Sequence, residues 1–190
     1  MIPVVGWRRE VPLDATGLPF IAPSPNLQTL AALFDYPGTC LFEGTNLSVG
    51  RGTDAAFRQV GAPWLDTAAV LAGARRAGLP GVRFAGVTFT PRAPGDGKYA
   101  DTLLAGIRLE VTDRARYDPT ATAVALLAAV RAAHGDQFGW IPKHFDRLAG
   151  GPTLREQLEA GTSAAAIVAG WGDGLRAFQG RRRAFLLYPE

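Results

Sequence analysis

Apolar and polar residues alternate over residues 103–112, and this alternation predicts a β-strand. Every second residue from Leu103 to Val111 is apolar, whereas Arg108 and Glu110 occupy positions between them. Successive side chains of a strand point to opposite faces, so a period of two describes a strand with one buried face. Three other apolar runs predict further strands: 39–42, 57–62 and 82–89.

Helices are indicated by capping residues that precede apolar stretches. Asn26, Asp66 or Thr67, and Asp118 each offer a side-chain oxygen to the free N–H groups at a helix start. The predicted helices cover residues 27–34, 67–77, 118–134, 153–160 and 163–179. Residues 1–25 contain five prolines, which forbid a long regular element there.

The order of these elements defines a fold class. Strands alternate with helices in the first part of the chain, and helices dominate the C-terminal part. We therefore predict an α/β fold with a mixed sheet, flanking helices and a helical C-terminal layer. A chain of 190 residues fits a single domain spanning residues 1–190, which can bury about 70% of its unfolded surface.

Composition and charge exclude several classes of partner. The chain is 47% hydrophobic and 19% charged, with a net charge of +3, which is ordinary for a globular domain. Its densest basic run, Arg181–Arg183, is short and has no interleaved aromatic residues, so we expect no nucleic-acid partner. No apolar stretch reaches the roughly 18 residues of a membrane span. The N-terminus lacks the basic and apolar regions of a signal peptide.

A single cysteine, Cys40, forbids an internal disulfide. It lies within the apolar run 39–42, where we expect a buried and inert thiol. We predict neither a metal ion nor a cofactor for this chain.

The most unusual stretch of the sequence is Glu43–Thr53, hereafter the polar loop. Its eleven residues offer a carboxylate, an amide, three hydroxyls, a guanidinium and three glycines. Glycine lets a backbone approach a ligand closely, and the polar groups suit a neutral polyol or an amide-bearing sugar. Arg51 can hold a carboxylate through two parallel hydrogen bonds. A phosphate loop is excluded because Arg51 and Gly52 stand where that motif needs Lys and Ser or Thr.

Each candidate ligand residue also has a purely structural interpretation. The polar side chains of the loop, among them Thr45, Asn46, Ser48 and Thr53, can simply satisfy the loop's own backbone. Asn26 can cap a helix instead of binding a ligand. Trp64 can stack on a sugar face or fill the core, and Lys98 can reach a ligand or remain idle at the surface.

Several short motifs follow one another along the chain. They are Pro23-Ser24-Pro25-Asn26, Tyr36-Pro37-Gly38-Thr39-Cys40, Glu43-Gly44-Thr45-Asn46-Leu47-Ser48 with Gly50-Arg51-Gly52-Thr53, Gly61-Ala62-Pro63-Trp64, Val111-Thr112-Asp113-Arg114 and Phe145-Asp146-Arg147-Leu148-Ala149-Gly150. In this order they resemble the C-terminal part of the DUF1343 family, the exo-β-N-acetylmuramidases of bacterial cell-wall turnover. The resemblance covers essentially the whole chain.

The resemblance implies a function for a two-part assembly. Family members release N-acetylmuramic acid from the non-reducing end of peptidoglycan fragments, in a cleft between an N-terminal Rossmann-like domain and a C-terminal domain. This chain corresponds to the C-terminal part, so the Rossmann-like domain is expected in cis or in trans. A secreted or periplasmic location is also implied. We expect the isolated chain to be inactive.

The chemistry of the polar loop is compatible with this substrate. N-acetylmuramic acid carries hydroxyls, an acetamido group and a lactyl carboxylate, and Arg51 matches the last of these. Glycosidases usually need two carboxyl groups, and Glu43 is the candidate to supply or orient one. Glu43 can equally bind a sugar hydroxyl or brace the loop. The alternatives for the whole chain are a non-catalytic glycan-binding module and a structural domain.

Overall fold

A three-stranded sheet forms one layer of the computed structural model, which describes residues 2–188. The strands are β1 (Gln59–Ala62), β2 (Val82–Phe89) and β3 (Leu104–Val111), in the order β1-β3-β2. The α/β class with flanking helices is confirmed. Both strand pairings are antiparallel, so within the described residues the expectation of a mixed sheet is wrong. The reason is that β2 returns directly into β3 through a loop, without the crossover helix that parallel neighbours need.

Seven α-helices lie within residues 2–188 and form the other layers. They are α1 (Leu30–Thr39), α2 (Thr67–Arg76), α3 (Pro119–Ala133), α4 (Pro142–Ala149), α5 (Thr153–Glu159), α6 (Ala164–Ala169) and α7 (Gly172–Arg182). Helix α3 is the central one, because nine of its residues are buried and α1, α2 and α6 pack against it. None of the described helices is long and apolar enough to cross a membrane.

Local signals predicted several elements correctly. Strand β2 has the predicted bounds, and β3 is one residue shorter at each end. Asp66 caps α2, where its carboxylate accepts hydrogen bonds from two backbone N–H groups. Asp118 does the same for α3 at 2.9 Å from each of two N–H groups. These elements follow the sequence because their stop and start signals are local.

Other elements differ from the prediction. Helix α1 begins at Leu30, since Thr29 rather than Asn26 accepts the capping hydrogen bond, from the N–H of Ala32. The predicted strand 39–42 is instead the end of α1 and a 3₁₀ turn, Cys40–Gly44. The predicted helix 163–179 is broken near Gly170 into α6 and α7, and α4 was not predicted. An apolar run of four residues does not distinguish a strand from a buried helical turn.

Candidate functional site

The polar loop lies at one edge of the sheet. Ser48 and Gly61 of β1 exchange two backbone hydrogen bonds, of 2.9 and 3.0 Å. On its other side, Thr45 forms a single antiparallel bridge with Trp140. Glu43, the first residue of the loop, belongs to the 3₁₀ turn Cys40–Gly44 and does not stand at the end of a strand. The loop is therefore held between the edge strand of the sheet and the segment that leads into α4.

Glu43 and Arg51 form an ion pair across the polar loop. The Nε and Nη2 atoms of Arg51 donate to Oε1 of Glu43 at 2.9 and 2.6 Å. The Glu43 side chain is 16% exposed and that of Arg51 21%, so the pair is neither sealed in the interior nor fully solvated. Among the described residues none hydrogen-bonds Oε2 of Glu43. Both hydrogen bonds from Arg51 thus converge on one carboxylate oxygen of Glu43.

Two aromatic rings accompany this ion pair. The guanidinium of Arg51 lies 4.9 Å from the centre of the Phe57 ring, and Tyr36 contacts that ring edge-on at 4.9 Å. Tyr36 is 36% exposed. Burial raises the pKa of its hydroxyl, and the negative charges of the Cys40 thiolate form and Glu43 add to this. Tyr36 is not among the ligand residues predicted from the sequence, although it belongs to the motif Tyr36-Pro37-Gly38-Thr39-Cys40 that carries the family resemblance.

Cys40 adjoins this group without the properties of a nucleophile. Its Sγ donates to the carbonyl of Pro37 at 3.6 Å. Burial raises the pKa of the thiol above its usual value, and the charge of Glu43 acts in the same direction. Since the thiolate is the reactive form, this environment disfavours reactivity. Cys40 is half-buried, however, so the expectation of a buried thiol is wrong, because the residue follows α1 in a 3₁₀ turn and does not lie in a strand.

Three predicted ligand residues in the first half of the loop are engaged inside the protein. The buried Thr45 hydroxyl donates to the Phe42 carbonyl at 2.7 Å, and the buried Ser48 hydroxyl accepts from the Gly50 N–H at 3.1 Å. Asn46 donates to the Gln137 carbonyl at 2.8 Å and accepts from the Gly139 N–H at 2.9 Å. For these residues the geometry supports the structural interpretation over ligand binding.

Two further candidates also lie away from an open ligand surface. Trp64 is half-buried and meets the ring of His134 edge-on at 5.3 Å, so it belongs to the core rather than to a sugar platform. The ammonium of Lys98 lies among backbone carbonyls of the polar loop. It has no donor left for a substrate, because an ammonium has only three.

A polar cavity of about 410 Å³ opens beside the second half of the loop. It brings together Asn26 and Thr53, two of the predicted ligand residues, which are far apart in sequence. The polar side chains that line it are Asn26, Gln28, Thr29, Thr53 and Asp54. The sequence analysis missed Gln28, Thr29 and Asp54, and their only signal was adjacency to the two predicted residues.

A hydrogen-bond chain braces the Thr53 side of this cavity. Nη2 of Arg108 donates to Oε1 of the buried Gln59 at 2.6 Å, and Nε2 of Gln59 donates to the Thr53 hydroxyl at 3.1 Å. That hydroxyl in turn donates to the Gly50 carbonyl at 2.6 Å. The cavity therefore offers hydroxyl and amide groups and the Asp54 carboxylate on a braced frame, a set of groups that suits a sugar.

The loop glycines serve packing within the protein rather than a ligand. A Cβ atom on Gly44 would lie 2.4 Å from Cα of Phe145, and one on Gly52 would lie 2.4 Å from the Arg92 carbonyl oxygen. Gly50 and Gly52 also have positive φ angles, of 74° and 78°, which disfavour other residues. The glycine pattern thus reflects close approach of the loop to its own neighbours.

A buried carboxylate lies beneath the Tyr36 side of the site. Asp35 is 1% exposed and accepts a hydrogen bond from the Tyr117 hydroxyl at 2.8 Å. Its Oδ2 faces Nε of Arg58 at 3.8 Å, and neither of these two atoms has a hydrogen-bond partner among the described residues. Burial raises the pKa of Asp35 to about 6, against the lowering effects of Tyr117 and Arg58.

This raised pKa predicts a pH-dependent cost of folding. Between pH 3.8 and about 6 the folded state holds a proton on Asp35 that the unfolded chain has lost, so the associated stability is lost as pH rises through that window. Relative to Asp35→Asn, the free energy of unfolding of the wild type should fall by about 2 kcal/mol between pH 4 and 7. Urea unfolding of both proteins at several pH values measures this difference, since other groups titrate equally in both. A difference that stays constant with pH would contradict the assignment.

Comparison with known families classifies this site. Residues 34–188 match the family model described as "Exo-beta-N-acetylmuramidase NamZ, C-terminal". The chain therefore belongs to this family of C-terminal domains, as the motifs of the sequence indicated.

Individual relatives agree with this classification. The chain is 36% identical to the peptidoglycan beta-N-acetylmuramidase NamZ of Bacillus subtilis (strain 168) over 183 residues, 96% of this chain and 44% of that protein. A crystal structure of a DUF1343 family protein from Bacteroides fragilis NCTC 9343 has the same fold, with a TM-score of 0.85 and 21% identity over 97% of this chain and 49% of that one. A second such protein from the same strain gives a TM-score of 0.66 at 28% identity over 89% of this chain and 44% of that one. The chain thus spans less than half the length of each relative.

Proposed function

We propose that this chain is the C-terminal part of an exo-β-N-acetylmuramidase and forms one wall of its active-site cleft. The assembly would release N-acetylmuramic acid from the non-reducing end of peptidoglycan fragments, outside the cytoplasm where that substrate lies. The observation that carries the proposal is the half-buried Glu43–Arg51 pair in a chain of this family. The relative from Bacillus subtilis is named a peptidoglycan beta-N-acetylmuramidase.

The groups at the site divide between the parts of such a sugar. The Arg51 guanidinium is available to bind the lactyl carboxylate. It would bind this group and Glu43 at the same time. Asn26 and Thr53 line the polar cavity, which suits the hydroxyl and acetamido groups. Glu43 keeps Oε2 for the reacting sugar, either as a charge that stabilises an oxocarbenium-like transition state or as a hydroxyl acceptor.

A second carboxyl group must come from elsewhere. Glu43 forms its ion pair with Arg51, and a glycosidase of the usual kind needs a second carboxyl group beside the scissile bond. We propose that a Rossmann-like N-terminal half, in cis or in trans, supplies the missing acid. Helix α7 gives such a partner a surface, since none of its residues is buried and Leu175 and Phe178 are 53% and 51% exposed.

The isolated chain should therefore lack muramidase activity. Purified protein is incubated with a chromogenic aryl β-N-acetylmuramide, alone and together with a family N-terminal half, and release of the chromophore is followed. We expect no release by the chain alone and release by the mixture or by a fusion of the two. Rapid release by the chain alone would refute the proposed division of labour, and the Glu43→Gln chain serves as a control for contaminating activity.

The second candidate function is a non-catalytic glycan-binding module. It is favoured by the pairing of Glu43 with Arg51, which can serve as a loop brace alone. Titration calorimetry with N-acetylmuramic acid distinguishes the two, because a binding module would bind the sugar and yet leave the rate of an active N-terminal half unchanged. An increase in that rate on adding the chain would support the enzymatic proposal.

A further inference from the structure

The ammonium of Lys98 is surrounded by backbone carbonyl oxygens of the polar loop and the turn before it. Its Nζ lies 2.6 Å from the oxygen of Thr45, 3.0 Å from that of Glu43, 3.1 Å from that of Leu47 and 3.5 Å from that of Phe42. Burial lowers the pKa of this lysine, whereas the charges of Asp96 and Glu43 act in the opposite direction. The ammonium thus exchanges contacts with water for contacts with four main-chain carbonyl oxygens.

The chain geometry explains why these carbonyls converge. The 3₁₀ turn Cys40–Gly44 ends here, and the last carbonyls of a helical turn have no partner within it. Thr45 is extended, and its carbonyl and that of Leu47, two residues later, both face the Lys98 ammonium. Four carbonyl oxygens around one point repel each other unless a cation lies among them, which is how proteins hold dehydrated monovalent ions.

The next residue extends the same contact. The hydroxyl of Tyr99 donates to the carbonyl of Asn46 at 2.7 Å, so Lys98 and Tyr99 together hold five carbonyls of residues 42–47. Tyr99 and Asp101 have positive φ angles, of 54° and 55°, which are costly for residues other than glycine. The segment between β2 and β3 is therefore strained at these two residues, and it places the side chains of Lys98 and Tyr99 against the carbonyls.

We propose that Lys98 is a positioning residue whose ammonium acts as the built-in cation of a four-carbonyl site and fixes the backbone that carries Glu43. The catalytic role of Lys98 rests on the proposed function, because Lys98 acts through Glu43. The four-carbonyl site does not depend on the proposed function. Without the ammonium, the four oxygens would need water or an external cation of similar size.

The proposal predicts that a small cation restores what Lys98→Ala removes. The chain has only two lysines, and Lys143 is exposed, so Lys143→Ala is a matched control. Melting temperatures are measured for the full chain in methylammonium, ammonium, potassium and tetramethylammonium chloride at equal ionic strength. Because several charge-assisted hydrogen bonds are lost, Lys98→Ala should melt lower by about 5 °C or more in tetramethylammonium.

Methylammonium or ammonium should recover at least half of that loss, since these ions fit the space and donate hydrogen bonds. Tetramethylammonium has no N–H group and should recover nothing. The melting temperatures of the wild type and of Lys143→Ala should not differ among the salts. The same holds for Lys98→Met, because the methionine side chain fills the space without donating hydrogen bonds. If Lys98→Ala does not fold, the yield of refolding in methylammonium against tetramethylammonium gives the same comparison.

Activity in the assembly with the N-terminal half tests the positioning role separately. At a temperature well below melting, Lys98→Ala should lower kcat by tenfold or more, with a smaller change in KM, and methylammonium should restore kcat in parallel with the melting temperature. Equal melting of Lys98→Ala in all four salts would overturn the carbonyl site. Recovery of melting without recovery of kcat would overturn the positioning of Glu43. A wild-type assembly without activity would count against the proposed function alone, and melting would still decide the carbonyl site.

Discussion

Glu43→Gln should lower kcat/KM of the assembly with the N-terminal half by on the order of 10²-fold or more, as for loss of one preorganised charge. Glutamine keeps an oxygen that accepts from Arg51 in place of Oε1. It places an uncharged amide donor at the position of Oε2. Steady-state kinetics with an aryl β-N-acetylmuramide measure the loss, and the melting temperature is taken on the same preparation.

The alternatives for Glu43 give different results. If Glu43 only accepts a hydrogen bond from a sugar hydroxyl, the loss should be roughly tenfold and mainly in KM. If it only braces Arg51, the kinetics per folded molecule should stay unchanged while the melting temperature falls. Glu110→Gln is a suitable control, because Glu110 lies on β3 and pairs with Arg83 at 3.3 Å, outside the site. Normal kinetics in a normally folded Glu43→Gln protein would remove Glu43 from the mechanism.

Gly44→Ala should destabilise the fold by about 3 kcal/mol, because the added methyl group has no space. Its Cβ would lie 2.4, 2.6 and 2.7 Å from Cα, Cβ and N of Phe145. The Cα and N atoms belong to the backbone of α4, and Cβ is the first atom of the Phe145 side chain. Rotation of that side chain therefore cannot relieve the clash. The melting temperature should therefore fall by about 6–12 °C, measured by circular dichroism.

A matched glycine substitution separates this clash from a general effect of alanine. Gly180 lies within α7, and a Cβ there would meet nothing within 4 Å. Gly180→Ala should leave stability unchanged or raise it by about 0.5–1 kcal/mol, since alanine favours helices. If both variants melt like the wild type, α4 must move freely away from the loop, and the close approach of Gly44 to Phe145 is not a constraint.

Elements with local signals could be predicted from the sequence. Asp66 and Asp118 precede their helices as capping residues do, and the apolar stretch of β2 ends at recognisable breakers. The region around Gly38 could not be predicted in this way, because Pro37-Gly38 looks like a turn. In the structure Gly38 lies inside α1, where a Cβ would come within 2.0 Å of the Pro119 carbonyl oxygen. A glycine needed for helix packing and a glycine needed for a turn are identical in sequence.

The candidate site was only partly predictable for a related reason. Thr45, Ser48 and Thr53 all use their hydroxyls on groups of the protein, and Thr53 also lines the cavity. All three side chains offer the same chemistry, so composition cannot tell a ligand contact from a loop contact. Only the tertiary positions of Lys98 and of the segment before α4 decide which groups remain available. The family, in contrast, followed from the motifs, because their order along the chain is specific.

The hydrogen bonds that fill the polar loop before any ligand arrives also determine how binding would proceed. A wall whose backbone is already ordered loses little conformational entropy when a sugar docks, so more of the contact energy remains as affinity. The rate at which the sugar binds would then be limited by diffusional encounter and not by ordering of the loop. Any large motion in catalysis would fall to the approach of the other half, with this domain acting as the stationary surface against which it closes.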